Sequence, residues 1–128
     1  MADPHPASEI GTRFVRALAA KDREALAALL DPRIEFRGLT PSRSWEASTP
    51  EEVCEIVFGS WFEPGDHIRE TLETDTERVA DRERLHYRLR VESEGADHLV
   101  EQQGYYDVVD GKITRMSVLC SGFRPWPE

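Results

Sequence analysis

Cysteine, lysine and long apolar runs are scarce in this 128-residue chain, and each scarcity excludes a class of protein. The two cysteines, Cys54 and Cys120, are far apart and lack metal-ligand spacing, so neither a disulfide framework nor a metal site is expected. No apolar run approaches the roughly 20 residues that span a bilayer. The first residues, MADPHPASEI, lack the basic and apolar regions of a signal peptide. The sequence therefore predicts a cytoplasmic protein.

Positive charge is also in short supply. Lys and Arg number 16 against 25 Asp and Glu, which gives a formal net charge of -9, and lysine occurs only as Lys21 and Lys112. This excess of negative charge repels phosphate backbones and anionic lipids, so we expect neither nucleic acid nor a membrane as partner. With 39% hydrophobic residues, the chain is suited to one domain with a substantial core.

The N-terminal part predicts a flexible arm followed by a helix. Residues 1–7 contain two prolines and no periodic apolar pattern. Ser8 is a suitable N-cap, and Ile10, Phe14 and Leu18 recur at every fourth position. We therefore expect an amphipathic helix from residue 8 onwards.

A second helix and a short strand follow. Asp22 can cap the segment REALAALL, and the pair Asp31-Pro32 should end it because proline removes a backbone donor. Residues 33–38 then alternate apolar and charged side chains, which is the period of a half-buried strand.

The next stretch predicts a surface loop and a third helix. GLTPSRSWEAS has neither helical nor strand period, and Trp45 is its one large apolar anchor. In TPEE, Thr49 can cap a helix, Pro50 suits its first position and Glu52 can reach back in a capping box. This helix should end at residues 63–65.

The second half predicts four long strands joined by short turns. Residues 67–79 and the alternating run LHYRLRV form two of them, and residues 98–120 form a hairpin about Asp110-Gly111. Consecutive strands with short turns must pair as an antiparallel meander. In the tail, residues 124–128, prolines should end pairing, although Phe123 and Trp126 could fold back onto the domain.

This order, ααβαββββ, predicts an α+β fold in which a curved antiparallel sheet wraps around three helices. Together with RFVRALAAKDREALAALLDPRIEFRG and YYDVVDGKITRM, it resembles the nuclear transport factor 2-like superfamily, and especially its SnoaL-like bacterial members. The resemblance covers residues 8–123 as a single domain. It implies a cone with an apolar internal cavity and a homodimer that forms through the outer face of the sheet.

The resemblance does not extend to the known catalytic groups of the family. Phe14 stands where the ketosteroid isomerases have a donor tyrosine, Phe36 falls at or next to their general base, and Gly104 lies near the position of their second acid. The acid-base pair of the polyketide cyclases and the Asp-Arg-Asp set of the epoxide hydrolases also have no matching residues. We therefore expect no typical ketosteroid isomerase, and the catalytic residues stay unassigned.

Strand alternation, in the phase that the resemblance implies, places Tyr87, Gln102, Tyr106, Met116, Val118 and Cys120 on the cavity side. Phe14 and Phe36 join this expected ligand-binding lining as the residues at the family's site positions, and Trp45 and Trp61 either close the cavity mouth or pack in the core. The lining is apolar with a few polar points. A bulge beside Gly104 would reverse the phase and instead present Glu101, Gln103, Tyr105 and Asp107. For Cys120, packing is favoured over a nucleophilic role because no histidine lies beside it in sequence.

Two functions are compatible with such a cavity. The first is binding of a small apolar or aromatic metabolite without catalysis, with a second copy paired against the outer sheet face through Arg88, Arg90, Glu101 and Gln103. The second is a cofactor-independent isomerase, cyclase or dehydratase that works by acid-base chemistry. Neither requires a cofactor, and the sequence leaves open whether the protein is an enzyme.

Overall fold

Three α-helices and seven strands form the described part, residues 9–127, of this computed structural model. The helices are α1 (Ile10–Ala19), α2 (Arg23–Ala28) and α3 (Pro50–Glu55), and a π-helical segment, Ile56–Trp61, continues α3. The predicted arm, residues 1–7, and the predicted cap Ser8 lie outside the described residues. Within residues 9–127, no helix has the length and apolar character needed to cross a bilayer.

The strands form one curved sheet. Their bounds are β1 (Leu30–Thr40), β2 (Arg43–Ala47), β3 (His67–Val79), β4 (Arg82–Ser93), β5 (Ala96–Val109), β6 (Lys112–Cys120) and β7 (Arg124–Pro125). The order across the sheet is β2-β1-β6-β5-β4-β3, and β7 pairs with β5. The predicted meander of β3 to β6 is confirmed, as is the α+β class. Strands β1 and β6 pair in parallel, and the other pairs are antiparallel.

Two predicted helix caps are confirmed. The Asp22 carboxylate accepts a hydrogen bond of 3.0 Å from the Ala25 amide, and the Thr49 hydroxyl accepts one of 3.1 Å from the Glu52 amide. The Glu52 carboxylate reaches back to Ser48, whose amide and hydroxyl donate to it at 2.9 and 3.1 Å. Local signals therefore sufficed to locate the start of α2 and of α3.

The predicted end of the second helix is wrong. The helix ends at Ala28, and Leu30 already belongs to β1, where it pairs with Ile113 of β6. Pro32 does not end the pairing because the ladder shifts register between Leu30 and Glu35, so its missing amide falls in an irregular stretch. The strand is consequently longer at its N-terminal end than residues 33–38.

The predicted loop GLTPSRSWEAS is also wrong: residues 38–40 belong to β1 and residues 43–47 form β2. This strand runs antiparallel to β1, with Gly38 opposite Trp45 and Phe36 opposite Ala47. It is short, and four of its five residues are exposed or half-buried, so it shows no apolar alternation. Pairing with β1, rather than local pattern, determines its conformation.

The tail also continues pairing beyond the point that the sequence predicts. Residues 124–125, as β7, pair with His98 and Leu99 of β5. The Phe123 ring packs 6.1 Å from Phe62 and 5.5 Å from His98, between ring centroids. The Arg90 guanidinium lies 4.3 Å from the Trp126 ring. The tail therefore folds back onto the domain, which was the alternative that the sequence allowed.

The hairpin about Asp110-Gly111 is confirmed. Both residues have positive φ, 52° and 76°, as a two-residue type I′ turn requires. Val109 pairs with Lys112 directly across the turn. From this turn the antiparallel pairing of β5 with β6 extends to Gln102 and Cys120.

The core lies on the face of the sheet that the helices cover, here called the inner face. On β4, Leu85, Tyr87, Leu89 and Val91 are at most 2% exposed, whereas the alternating residues form the outer face. Outer side chains pair across strands, as in the Arg84 contacts with Asp75 and Glu77 at 2.8 and 2.6 Å.

Both lysines connect helices or loops to the rest of the domain. The Lys21 ammonium donates to the carbonyl oxygens of Glu63 and Asp66, and the Lys112 ammonium donates to that of Ala28. Partial burial lowers the pKa of Lys21, and the nearby Asp66 carboxylate opposes that shift. Both ammonium groups are therefore hydrogen-bonded to backbone carbonyls, with Lys21 half-buried and Lys112 exposed.

Candidate functional site

A row of polar side chains crosses the inner face from β4 to β6. Gln102 of β5 pairs in register with Tyr87 on one side and with Cys120 on the other. The Tyr87 hydroxyl donates to the Gln102 side-chain oxygen. Burial, and secondarily Cys120, raises the pKa of Tyr87, so its phenol stays protonated and acts as a donor.

Two buried donors near this row have no acceptor among the described residues. They are the side-chain nitrogen of Gln102, Nε2, and the indole nitrogen of Trp61, Nε1. Gln102 is 1% exposed and Trp61 is 8% exposed. A buried donor without an acceptor costs about 1–3 kcal/mol. A bound molecule that supplies an acceptor would recover that free energy.

The π-helical segment brings Trp61 against the sheet. A Cβ added at Gly38 would lie 2.5 Å from the Trp61 ring, so only glycine permits this approach. Around it, the Phe36 ring lies 5.9 Å away and the Trp45 ring 6.4 Å away in an edge-on arrangement. π-helical turns recur at functional sites because they displace side chains from the regular helical positions.

A second polar pair, Tyr106 and Glu83, lies on the same face. The residues are opposite each other in the β5–β4 register, and the Tyr106 hydroxyl donates to a Glu83 carboxylate oxygen at 3.3 Å. Burial, followed by the charge of Glu83, raises the pKa of Tyr106. The hydroxyl also lies against Gly11 of α1, where any Cβ would overlap it.

Glu83 is the residue that the sequence analysis missed. It precedes the predicted strand LHYRLRV, yet it belongs to β4 and is 6% exposed. The signal was present, because Glu83 precedes Leu85 by two residues and therefore shares its phase. A carboxylate in an apolar alternation is a recognisable candidate for function.

Gly104 lies between the two polar pairs. Val100, Gln102, Gly104 and Tyr106 are all buried, so the first of the two predicted phases is the observed one, and the bulge falls after Asp107. A Cβ at Gly104 would lie 3.5 Å from the Met116 methyl and 3.4 Å from a Val118 methyl. The surface between Gln102 and Tyr106 is therefore covered by side chains of β6.

The structure buries nine of the ten residues predicted to line the cavity: eight belong to one apolar cluster, Gln102 is a buried polar residue, and Trp45 is half-buried beside the cluster. The Arg43 guanidinium stacks 3.8 Å from the Trp45 ring. The Cys120 sulfur accepts from the Gly122 amide at 3.3 Å. The residues brought together as polar neighbours are Tyr87, Gln102 and Cys120.

A groove of about 720 Å³ opens elsewhere, along β1, β2 and β6. Of the predicted residues, only Phe36 and Met116 border it. Two ion pairs lie within it, Arg115–Glu35 at 3.1 Å and Arg37–Glu46 at 3.9 Å, and their side chains are largely exposed. Exposed ion pairs contribute little to binding or stability. Among residues 9–127, no cluster of three potential metal ligands occurs.

Comparison with known proteins now identifies the family. The model of the SnoaL-like domain matches residues 12–116. The chain belongs to the SnoaL-like domain family. Comparison with curated protein sequences gives no match to this SnoaL-like protein.

Solved structures of the same fold include proteins with different assigned chemistries. An inferred isomerase from Bacillus subtilis has a TM-score of 0.75 and 15% identity, covering 90% of this chain and 86% of its own. An inferred polyketide cyclase from Pseudomonas putida has a TM-score of 0.65 and 15% identity, covering 89% and 90%. An LEH-like epoxide hydrolase from M. tuberculosis has a TM-score of 0.65 and 10% identity, covering 88% and 80%. At such identities the likeness shows the fold alone.

Proposed function

We propose that this SnoaL-like protein binds a small apolar or aromatic molecule against the inner face, between the β5–β6 ladder and the π-helical segment. The observation that carries the proposal is the Gln102 side-chain nitrogen, a buried donor without an acceptor among the described residues. Tyr87 fixes the orientation of that amide by donating to its oxygen. An apolar surround with few convergent polar groups is typical of small-molecule sites.

A thermal-shift screen of metabolites tests this binding, since any ligand that prefers the folded state raises the melting temperature by mass action. Gln102→Leu should abolish the shift caused by a hit. The matched control is Gln103→Leu on the outer face, which should leave the shift unchanged. A screen without any hit, or a shift that survives in Gln102→Leu, would contradict the proposed site.

The second candidate function is cofactor-independent acid-base catalysis, as in an isomerase, cyclase or dehydratase. It is favoured by Glu83 and Tyr106, which place a carboxylate and a protonated phenol on the inner face. The carboxylate would accept a proton from the ligand, and Tyr106, with its raised pKa, would donate a hydrogen bond.

Proton exchange separates catalysis from binding alone. With a hit ligand in D₂O, the enzyme would exchange a C–H of the ligand for deuterium, as followed by NMR. Glu83→Gln should abolish the exchange while ligand binding persists. Exchange at an undiminished rate in Glu83→Gln would exclude Glu83 as the base.

We also propose that two copies pair through the outer face of the sheet. Support comes from Leu39 and Leu119, which are opposite each other in the β1–β6 register and are 53% and 58% exposed. Apolar side chains within a polar surround are typical of the centre of an interface. Light scattering should give a dimer for the unaltered chain and a monomer for Leu119→Glu, and a monomeric unaltered chain would refute the pairing.

A further inference from the structure

We propose that the molecule bound by the inner face is uncharged and carries two hydrogen-bond acceptors, one for Gln102 and one for Trp61. This inference rests on the proposed binding function and specifies its ligand class. These two unpaired atoms are donors, because a glutamine Nε2 and an indole nitrogen have no acceptor capacity. The third buried side-chain atom without a partner among the described residues, His98 Nδ1, belongs to the residue that pairs with Pro125 of the tail. A hydrocarbon would leave both donors unpaired.

Both side chains lie on the inner face, with Gln102 on β5 and Trp61 packed against β1. Trp61 packs on Gly38, which pairs in register with Val118, and Val118 pairs with Gly104. Two strand spacings therefore separate Gly38 from Gly104, or about 10 Å. Gln102 is two residues along β5 from Gly104, or about 7 Å. These backbone separations correspond to a ligand of one to three rings with acceptors at two ends.

The patch has an adaptable cover. The Met116 methyl lies 3.5 Å from the position that a Cβ on Gly104 would take. Methionine has three rotatable side-chain bonds and fills irregular space, so a change of rotamer can admit a flat ring over Gly104. Because Gly104 has no side chain, nothing projects from the sheet at this position toward a bound ring.

The charge distribution selects against acids. Among residues 9–127, no lysine or arginine is buried. The charged side chains that are buried are the acids Asp66 and Glu83. A carboxylate ligand would lose its hydration without gaining a cation, which costs far more than the loss of one hydrogen bond. Two neutral donors instead match the oxygens of ketones, esters, lactones or amides.

A matched set of para-substituted benzenes tests the inference by calorimetry at pH 7. Dimethyl terephthalate is neutral and has two opposed carbonyls. Monomethyl terephthalate is the corresponding half-ester, whose free carboxyl group is ionised at pH 7. The hydrocarbon para-dipropylbenzene has a similar length and no acceptor. We expect the diester to bind at least about tenfold more tightly than the hydrocarbon, and the anion at least about a hundredfold more weakly than the diester.

Single substitutions test whether Gln102 and Trp61 each bind one acceptor of the ligand. Gln102→Leu and Trp61→Phe should each weaken binding of the diester about tenfold and leave the hydrocarbon unaffected. Gln103→Leu and Trp126→Phe remove an amide and an indole elsewhere and should change neither. If Gln102→Leu fails to fold, Trp61→Phe and the ligand series on the unaltered chain still decide.

The outcomes distinguish the two levels of the proposal. Equal binding of diester and hydrocarbon overturns the two acceptors but leaves the binding function standing. Equal binding of diester and anion overturns the requirement for an uncharged ligand. If none of the three compounds binds, nor any hit of the metabolite screen, the binding function itself fails and the inference fails with it.

Discussion

Gln102 and Tyr87 share one buried hydrogen bond, so removal of either side chain leaves the other without this partner. Tyr87→Phe leaves the Gln102 oxygen without this donor, and Gln102→Leu leaves the phenol without this acceptor. Tyr87→Phe should lower the free energy of unfolding by about 1–3 kcal/mol, and Gln102→Leu should lower it by less because it also removes the unpaired Nε2 donor. The double variant should lose less than the sum, because no unpaired group remains. Urea unfolding measures all four proteins.

The m-value is the internal control of this cycle. It should be the same for the four proteins, since none of the changes alters the area exposed on unfolding. Strict additivity of the two single effects would show that the hydrogen bond is absent in solution.

Gly11 and Tyr106 interact through steric contact rather than through a hydrogen bond. Gly11→Ala places a methyl group on the Tyr106 hydroxyl, and overpacking of this kind costs about 1–3 kcal/mol. In a Tyr106→Phe background the overlap with the hydroxyl is gone and the Thr76 methyl at 3.2 Å is the nearest remaining atom, so the same substitution should cost clearly less. Thermal unfolding of the two pairs checks this difference. An equal loss in both backgrounds would contradict the contact between α1 and β5.

At the scale of elements, the β5–β6 hairpin depends on a left-handed residue in its turn. Gly111 has a φ of 76°, and alanine in that region costs about 1–2 kcal/mol. Gly111→Ala should therefore destabilise the protein by that amount in urea unfolding. Gly65 is the matched control, because a Cβ there meets no atom within 4 Å. A similar loss in Gly65→Ala would mean that the effect is not specific to the turn.

The start of α3 should be sensitive to acid. Hydrogen bonds from the Ser48 amide and hydroxyl hold the pKa of the exposed Glu52 carboxyl below its usual value. A lowered pKa in the folded state contributes stability above the unfolded pKa of about 4.3, and that contribution is lost as the pH falls through the folded pKa. Glu52→Gln should therefore lower the melting temperature at neutral pH and have a smaller effect at about pH 3, because the carboxylate is progressively protonated as the pH falls.

Ser48→Ala provides the control for this prediction. It removes the hydroxyl donor and keeps the amide donor, so its effect at neutral pH should be the smaller of the two. An effect of Glu52→Gln that is equal at both pH values would rule out the carboxylate as its source.

Elements governed by neighbouring residues could be predicted from the sequence. Caps at Asp22 and Thr49 and the turn at Asp110-Gly111 use hydrogen bonds or φ values confined to a few residues. The strand β2 could not be predicted, because its conformation depends on pairing with β1. The same holds for the parallel pairing of β1 with β6, which joins residues about 80 positions apart.

At the scale of the whole molecule, the sequence predicts which strand residues of the candidate site face inward, but not which side chains contact one another. Alternation identified Tyr87, Gln102 and Tyr106 as inward residues, and the structure buries all three. The hydrogen bond that orients Gln102 follows from the β4–β5 register, which the sequence does not specify. The approach of Trp61 to Gly38 depends on a π-helical segment, for which helical periodicity offers no signal.

The two lysines decide how this protein can be attached to other materials. Amine-reactive dyes, resins and crosslinkers target lysine, and here both side chains are bound to backbone carbonyls that join helices or loops to the domain. Acylation of Lys21 or Lys112 would remove the charge and break those contacts. We expect amine coupling at either position to lower the melting temperature, and coupling at the half-buried Lys21 to be slower than at the exposed Lys112. An exposed site such as Gly65, changed to cysteine, would be the safer handle.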